Sequence, residues 1–597
     1  MSKHEAGPPT VAEGAIDPLA NVPYRWAAAV CALTFLTYLG TLRFQFVHDD
    51  RGQIVGNPAV QSWHAVPGYF SAHVWAAVGP TFLANDYRPF FLLWLRINDA
   101  VFGPHVAGWH FTTVLAHVAA SYLVILLAQR IFRDWPTALF SGLIFGLHPV
   151  HIEAVAWISG VPEPLLATFL ISAYLCWLRS RETAGRSAVW LVASLAFYML
   201  ALLTKETAVV LLLILFASQW MNFPCAIELP RRHGMPAWLP ALKALLPFVL
   251  LTVVYVIIRI VALRGFSHPV ARISWLTVSL TWPSLLVFYL RLLFWPVRLS
   301  PFYGLQFVFR PTIWNTVLPL LTLLLVAVAL RKWAARSRPV ALAIPWLVFP
   351  VLPVLDVQVF GDGNFAHNRY LYLSSVGFAM LMAAALRRLK FGRPLLGGVP
   401  SSQVWASVFL LLLFGFAVQV EDRCYANDAA FYSYAYARMG NHDPIIGMDY
   451  ANTLAEQGDY DHAAKIYQGL IEAHPTMWNA YFNLGYMYYQ EGQLAGAVRY
   501  LQPAASADPP RAAARFYLGL ADFKMNRIDE AEANLRSAIA LEPTAPNYHF
   551  ALGVVLKVRG NLPAALTEFD RELELNPAHQ AAAKQAAEIH QRVAGRH

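Results

Sequence analysis

Twelve apolar runs dominate the chain, near 26–43, 108–130, 136–156, 163–179, 187–203, 206–221, 240–263, 275–296, 312–330, 339–358, 370–386 and 402–420. Each is roughly 17 to 23 residues, long enough to cross a bilayer as a helix. Hydrocarbon offers no partner to a backbone N–H or C=O, so such runs leave α-helix as the available structure. With 57% hydrophobic and 14% charged residues, a soluble fold could not hide this much apolar surface. The sequence therefore predicts an all-α, polytopic membrane domain.

Strict alternation of all twelve from a cytoplasmic N-terminus would put Arg331, Lys332, Arg336 and Arg338, and also Arg387, Arg388, Lys390 and Arg393, outside. That opposes the positive-inside bias. The run 275–296 is interrupted by Pro283 and followed by Trp295-Pro296. If it dips in and returns, or lies at the interface, about eleven crossings remain and every basic cluster becomes cytoplasmic, including Arg130/Arg133, Arg179/Arg181/Arg186 and Arg231/Arg232/Lys243. The loop 44–107, the segment 148–163, Lys205-Glu206, the loop 297–311 and the segment 361–372 then share the outer face with the C-terminal domain. These clusters account for the net charge of +9, so nucleic acid is not the expected partner. Four cysteines, Cys31, Cys176, Cys225 and Cys424, have no ligand spacing and suggest neither a disulfide framework nor a zinc site. Residues 1–22 read as a disordered cytoplasmic tail before an uncleaved signal anchor.

From 444 the pattern changes to a period of 34 residues. Pro475, Pro509, Pro543 and Pro577 are spaced by it, as are Ala463, Ala497, Ala531 and Ala565, with Leu484-Gly485, Leu518-Gly519 and Leu552-Gly553 in step. This is the tetratricopeptide signature of paired helices. Four repeats, the first degenerate with Tyr450-Ala451 where Leu-Gly belongs, and a capping helix over 579–594 are expected. Their concave face suits an extended peptide or partner helix, while a structural or dimerising array is the plainer alternative. The predicted domains are thus 23–421 in the membrane, 422–443 as a connecting segment and 444–597 as the repeat superhelix.

The residues able to carry chemistry lie in the outer segments. Asp49 and Asp50 follow the first run directly, where ionisable groups are functional candidates by default, although they also suffice to stop a helix at the water boundary. His148-Pro149-Val150-His151-Ile152-Glu153 ends the third run. Two histidines at i, i+3 with a glutamate suggest a metal, but Pro149 disturbs the register, and phosphate hydrogen bonding or helix termination fits better. Lys205-Glu206 between two runs is either an ion pair tying helix ends or a lysine for a lipid phosphate. Arg369 in Asn368-Arg369-Tyr370-Leu371-Tyr372 has the planar fork that suits phosphate oxygens, or anchors the surface. No Gly-rich phosphate cradle and no Ser/His/Asp elbow is present, so the substrate comes from the membrane or the outer compartment.

The chain resembles the transmembrane and tetratricopeptide-repeat O-mannosyltransferases, relatives of the protein O-mannosyltransferases in the membrane-embedded GT-C class. The likeness runs through Phe46-Val47-His48-Asp49-Asp50, Val55-Gly56-Asn57-Pro58, Tyr87-Arg88-Pro89 with Arg96-Ile97-Asn98, His148 to Val155, Thr204-Lys205-Glu206 and Arg369-Tyr370-Leu371-Tyr372, and through domain order. Val161-Pro162-Glu163-Pro164 departs from that family's usual Gly-Arg-Ala-Asp-like turn, and the repeat array is short. The resemblance implies a first outer loop bearing the catalytic carboxylate, a polyprenyl or dolichyl phosphate sugar as donor, and inverting transfer to a Ser or Thr hydroxyl of a protein held by the repeats. It makes Asp49 the base, with Asp50 orienting it or binding sugar hydroxyls. Arg88, Lys205 and Arg369 become phosphate ligands, with His148, His151, Glu153 and Tyr372 around the substrate; no cofactor or metal is expected. Apart from the resemblance, the topology fits a multi-pass protein of a bacterial inner membrane or, alternatively, of the endoplasmic reticulum, and the compact tail without eukaryotic sorting signals favours the bacterial setting. Rival readings are an oligosaccharide ligase of the O-antigen type and a non-catalytic membrane-anchored repeat scaffold.

Overall fold

The computed structural model describes residues 23–594 except 80–84, 183, 222, 224–237, 362, 396–397 and 441–442. The tail 1–22, Cys225 and the Arg231/Arg232 cluster lie outside the described residues. The described residues form helices joined by turns and by longer loops such as 44–88 and 295–312, with two isolated β-bridges and no strand. They divide into two compact units, one ending at Arg438 and one beginning at Met439.

Among the described residues of the first unit, nine helices are long and apolar enough to span a bilayer, or up to ten if the bent pair Trp135–Leu147 and Pro149–Ala156 counts as one. This is fewer than the eleven crossings expected, for a local reason. The runs at 206–221 and 370–386 spend residues on 3-10 turns, Glu206–Val210 and Asn368–Leu371, leaving the short α-helices Leu211–Trp220 and Ser374–Leu386. The 49° bend also has a local cause. Pro149 disfavours helical backbone at the residue before it, and His148 is extended with ψ 124°. Leu250, Ile257 and Val261, like Trp314 and Leu325 on Ile313–Ala334, are more than half exposed, an apolar surface that only lipid tolerates. The protein is a multi-pass membrane protein.

Small residues bring the helices together. On Trp135–Leu147, Gly142 and Gly146 form a small-xxx-small stripe, and a Cβ would sit 2.3 Å from Ile125 Cγ1 and 2.2 Å from Thr34 Oγ1 respectively. Neither side chain fits, so the first and second spans pack directly on this helix. The helix Trp275–Phe294 is continuous through Pro283. The segment before it and its last turn are each tied to another part of the unit: Val270 and Ala271 N–H donate to Gln358 O at 3.0 Å, and His148 Nε2 bonds Leu293 O at 2.9 Å.

The second unit is an array of antiparallel helix pairs from Pro444–Glu456 to Leu562–Leu575, followed by Gln580–Ala594. Its periodic residues are its contacts. Ala463, Ala497, Ala531 and Ala565 are fully buried, and a Cβ on Gly485 would lie 2.8 Å from Leu501 Cγ and 2.9 Å from the Leu501 backbone nitrogen. Because backbone yields less than a side-chain tip, Gly485→Ala should cost about 1–3 kcal/mol. In the intact protein this is expected as faster amide hydrogen exchange over 478–505, with exchange in the membrane unit unchanged.

Candidate active site

Four of the five expected outer segments, all but the loop 297–311, border one cavity of about 530 Å³ lined by Asp49, Arg88, Lys205 and Arg369 together with Glu163, Glu206 and Arg259. The lower wall of the first loop is held by an apolar cluster in which Ile54, Val60, Phe91, Leu92 and Leu95 pack on Trp109 and Ile158. Tyr69, Tyr87 and Phe91 of the loop are thus core while Trp63 and Phe70 stay exposed, and Arg96 supports the loop by donating to Val60 O and Asp99 Oδ2, both at 2.7 Å.

The two neighbouring acids have different fates. Asp49 lines the cavity, its side chain 31% exposed, with His48 Nε2 3.5 Å from Oδ1. Asp50 is fully buried and turned away, accepting from Ser159 N–H at 2.8 Å, Ser159 Oγ at 2.5 Å and Val47 N–H at 3.2 Å. Burial pushes its carboxyl up to about 7, against these three donors and with a contribution from Asp49. A raised folded-state pKa means stability that is full below the unfolded value near 4 and is lost as pH climbs through 7. Wild type should therefore lose melting temperature between pH 4 and 8 more steeply than Asp50→Asn, and identical slopes would show that Asp50 does not titrate there.

Each sequence-predicted cation on the wall is paired with a carboxylate. Arg88 grips Glu206 with Nη2 at 2.9 Å and Nε at 3.2 Å, and meets Asp86 at 2.8 Å. Burial disfavours the Glu206 carboxylate, but Arg88 and Lys205 outweigh it and hold the carboxyl low. Lys205 does not pair with its neighbour Glu206; its ammonium meets Glu163 and sits 5.3 Å from the Tyr370 ring centroid. Glu163 belongs to the turn that departs from the family pattern, so that turn supplies a site carboxylate. Arg369 pairs with Glu153, which also accepts from its backbone N–H at 3.1 Å, and its guanidinium lies 5.1 Å from the Trp157 ring centroid.

The remaining predicted residues lie beneath the cavity rather than on it. His148 uses both ring nitrogens, one on Leu293 O and one accepting from Val150 N–H at 3.2 Å. His151 Nε2 bonds Ser375 Oγ at 2.7 Å, and Tyr372 OH bonds His117 Nδ1 at 2.6 Å. The turn at Pro149 directs the histidines into the bundle, where they tie spans together.

Arg259 escaped sequence reasoning because it sits inside the apolar helix Trp238–Leu263. It lines the cavity and donates to Phe266 O at 2.6 Å and Asn85 O at 3.0 Å. Among the described residues it has no carboxylate within ion-pair distance. An arginine inside a span is the signal that marks such a site.

A tetratricopeptide-repeat family model matches residues 449–512 and 516–580. Over 567 residues the chain is 26% identical to mouse "Protein O-mannosyl-transferase TMTC1", covering 78% of this chain and 60% of that protein. It is 22% identical to human "Protein O-mannosyl-transferase TMTC3" over 94% of this chain and 65% of the relative. Drosophila "Protein O-mannosyl-transferase Tmtc2" is 30% identical over 295 residues. The chain is thus similar to TMTC proteins over most of its length. It spans about 60% of the length of the TMTC1 proteins it matches. Among solved structures, YrrB, described as a TPR protein with an unusual peptide-binding site, is 23% identical over 28% of this chain and 86% of its own, with a TM-score of 0.26.

Proposed function

We propose that this protein is a GT-C-type, inverting glycosyltransferase that moves mannose from a polyprenyl or dolichyl phosphate to a Ser or Thr hydroxyl of a protein. The observation that carries this reading is one cavity bordered by an exposed carboxylate, Asp49, and four cations, Arg88, Lys205, Arg259 and Arg369. The names of the TMTC relatives support the same chemistry.

A hydroxyl of high pKa needs a base as it attacks the anomeric carbon. Asp49 takes that proton while the C–O bond to phosphate breaks on the opposite face of the sugar, which inverts the anomeric centre. The donor is a phosphodiester with one negative charge and the leaving lipid phosphate carries two. The site must therefore stabilise a growing anion, and guanidinium and ammonium groups do so in place. Because that charge is met by fixed cations, transfer is expected to continue in excess EDTA.

The repeats are read as recruiting the acceptor protein on the non-cytoplasmic side. A tag following His597 should then be reachable by a membrane-impermeant reagent in intact cells, and its protection would reverse the topology. The direct test is transfer of labelled mannose from a polyprenyl phosphate donor to Ser/Thr peptides. Label arriving from a lipid-linked oligosaccharide instead identifies a ligase, and none from either identifies a scaffold.

A further inference from the structure

His48 is the residue whose surroundings the chemistry above leaves unexplained. Its backbone has φ of +50°, a left-handed conformation uncommon outside glycine. Such a backbone persists where surrounding structure over-determines it, and that happens most at functional sites. The restraints come from the segment leading to the repeats, Asp428–Met439 and the turn before it. Asp428 accepts the His48 N–H at 2.9 Å and pairs with Arg51, while Gln45 N–H donates to Ala426 O at 2.9 Å. The imidazole stacks on Phe431 at 5.0 Å and 20°, and Nδ1 lies 3.1 Å from Tyr432 OH. Trp157 and Phe302 close the box.

With one ring nitrogen committed to Tyr432, the other faces Asp49. At 3.5 Å, Nε2 is beyond a direct hydrogen bond to Asp49 Oδ1 and within reach of its charge. We propose that His48, held by Tyr432 and Phe431 of the connecting helix, is the positioning residue for Asp49. Tyr432 OH donates to Nδ1, which leaves the proton on Nε2. That N–H keeps Oδ1 turned toward the imidazole and leaves Oδ2 for the acceptor hydroxyl. The helix that leads to the repeats is thereby part of the site's support. This inference rests on the reading of Asp49 as the base.

The test uses the full-length protein in nanodiscs, dolichyl phosphate mannose and a pool of Ser/Thr peptides. Asparagine tolerates positive φ and can still meet Tyr432, but is too short for Asp49; glutamine reaches both positions less one ring atom. His48→Asn should lower kcat about 30-fold with both KM values within about twofold, and His48→Gln should recover to within about threefold of wild type. Tyr432→Phe, which keeps the ring and its packing, should lose about fivefold alone and nothing further in the His48→Asn background. Wild-type kcat in His48→Asn, equal loss in the asparagine and glutamine variants, or additive loss with Tyr432→Phe would each overturn the inference. Asp49→Asn in the same assay separates the two claims. If it is inactive while His48→Asn is not, only the positioning role falls; if it retains turnover, the base falls and the role falls with it.

Discussion

Asp49→Asn should abolish mannose transfer, by at least about a thousandfold, while the protein still folds and inserts. The size follows from what is removed. Asparagine matches aspartate in shape and polarity but accepts no proton, and positioned proton transfer contributes about 10²–10⁴ in rate. The cost to folding should be small because Asp49 lies on the cavity wall, partly exposed, unlike the buried Asp50. Transfer of labelled mannose, with size-exclusion behaviour as the fold control, measures both. Turnover within tenfold of wild type would remove Asp49 as the base.

Arg369→Ala is expected to do two things, and a second substitution separates them. It leaves Glu153, whose side chain is 1% exposed, with only His367 at 3.4 Å and the backbone N–H of residue 369, and a buried charge that loses its cation costs about 3 kcal/mol or more. It also removes a planar donor from the cavity wall, so the donor KM should rise at least about tenfold with the acceptor KM little changed. Adding Glu153→Gln takes away the stranded charge. The double variant should recover most of the lost melting temperature and none of the donor affinity. An unchanged donor KM in the double variant would make Arg369 a structural residue only.

The membrane helices and the repeats are legible in the sequence because each follows from one rule. Hydrocarbon forces continuous apolar helix, and stacked helix pairs force a small residue at each crossing, as Gly485 and Ala497 illustrate. Which outer segments meet follows from charge placement, and Asp49, Arg88, Lys205 and Arg369 do border one space. The pairings inside that space were not readable. Lys205 is extended and Glu206 begins a 3-10 turn, so two adjacent side chains diverge, one to Glu163 and one to Arg88. Nor was the inward turn of His148 and His151, since a proline's effect on backbone direction depends on what packs around it. His48 reads as a spacer before two acids until Asp428 and Tyr432, 380 and 384 residues away, come to lie against it.

The wall cations matched to carboxylates have a consequence for turnover. If the proposed lipid phosphate enters this cavity, it must win Arg88 from Glu206, Lys205 from Glu163 and Arg369 from Glu153, while Arg259 has no such carboxylate to give up among the described residues. Binding is then an exchange of one anion for another, with modest grip on the incoming lipid. The same carboxylates stand beside Arg88, Lys205 and Arg369 to take these three cations back when the phosphate departs. On the proposed reading, a site arranged this way trades tightness for ready emptying, as a carrier recycled after every sugar would require.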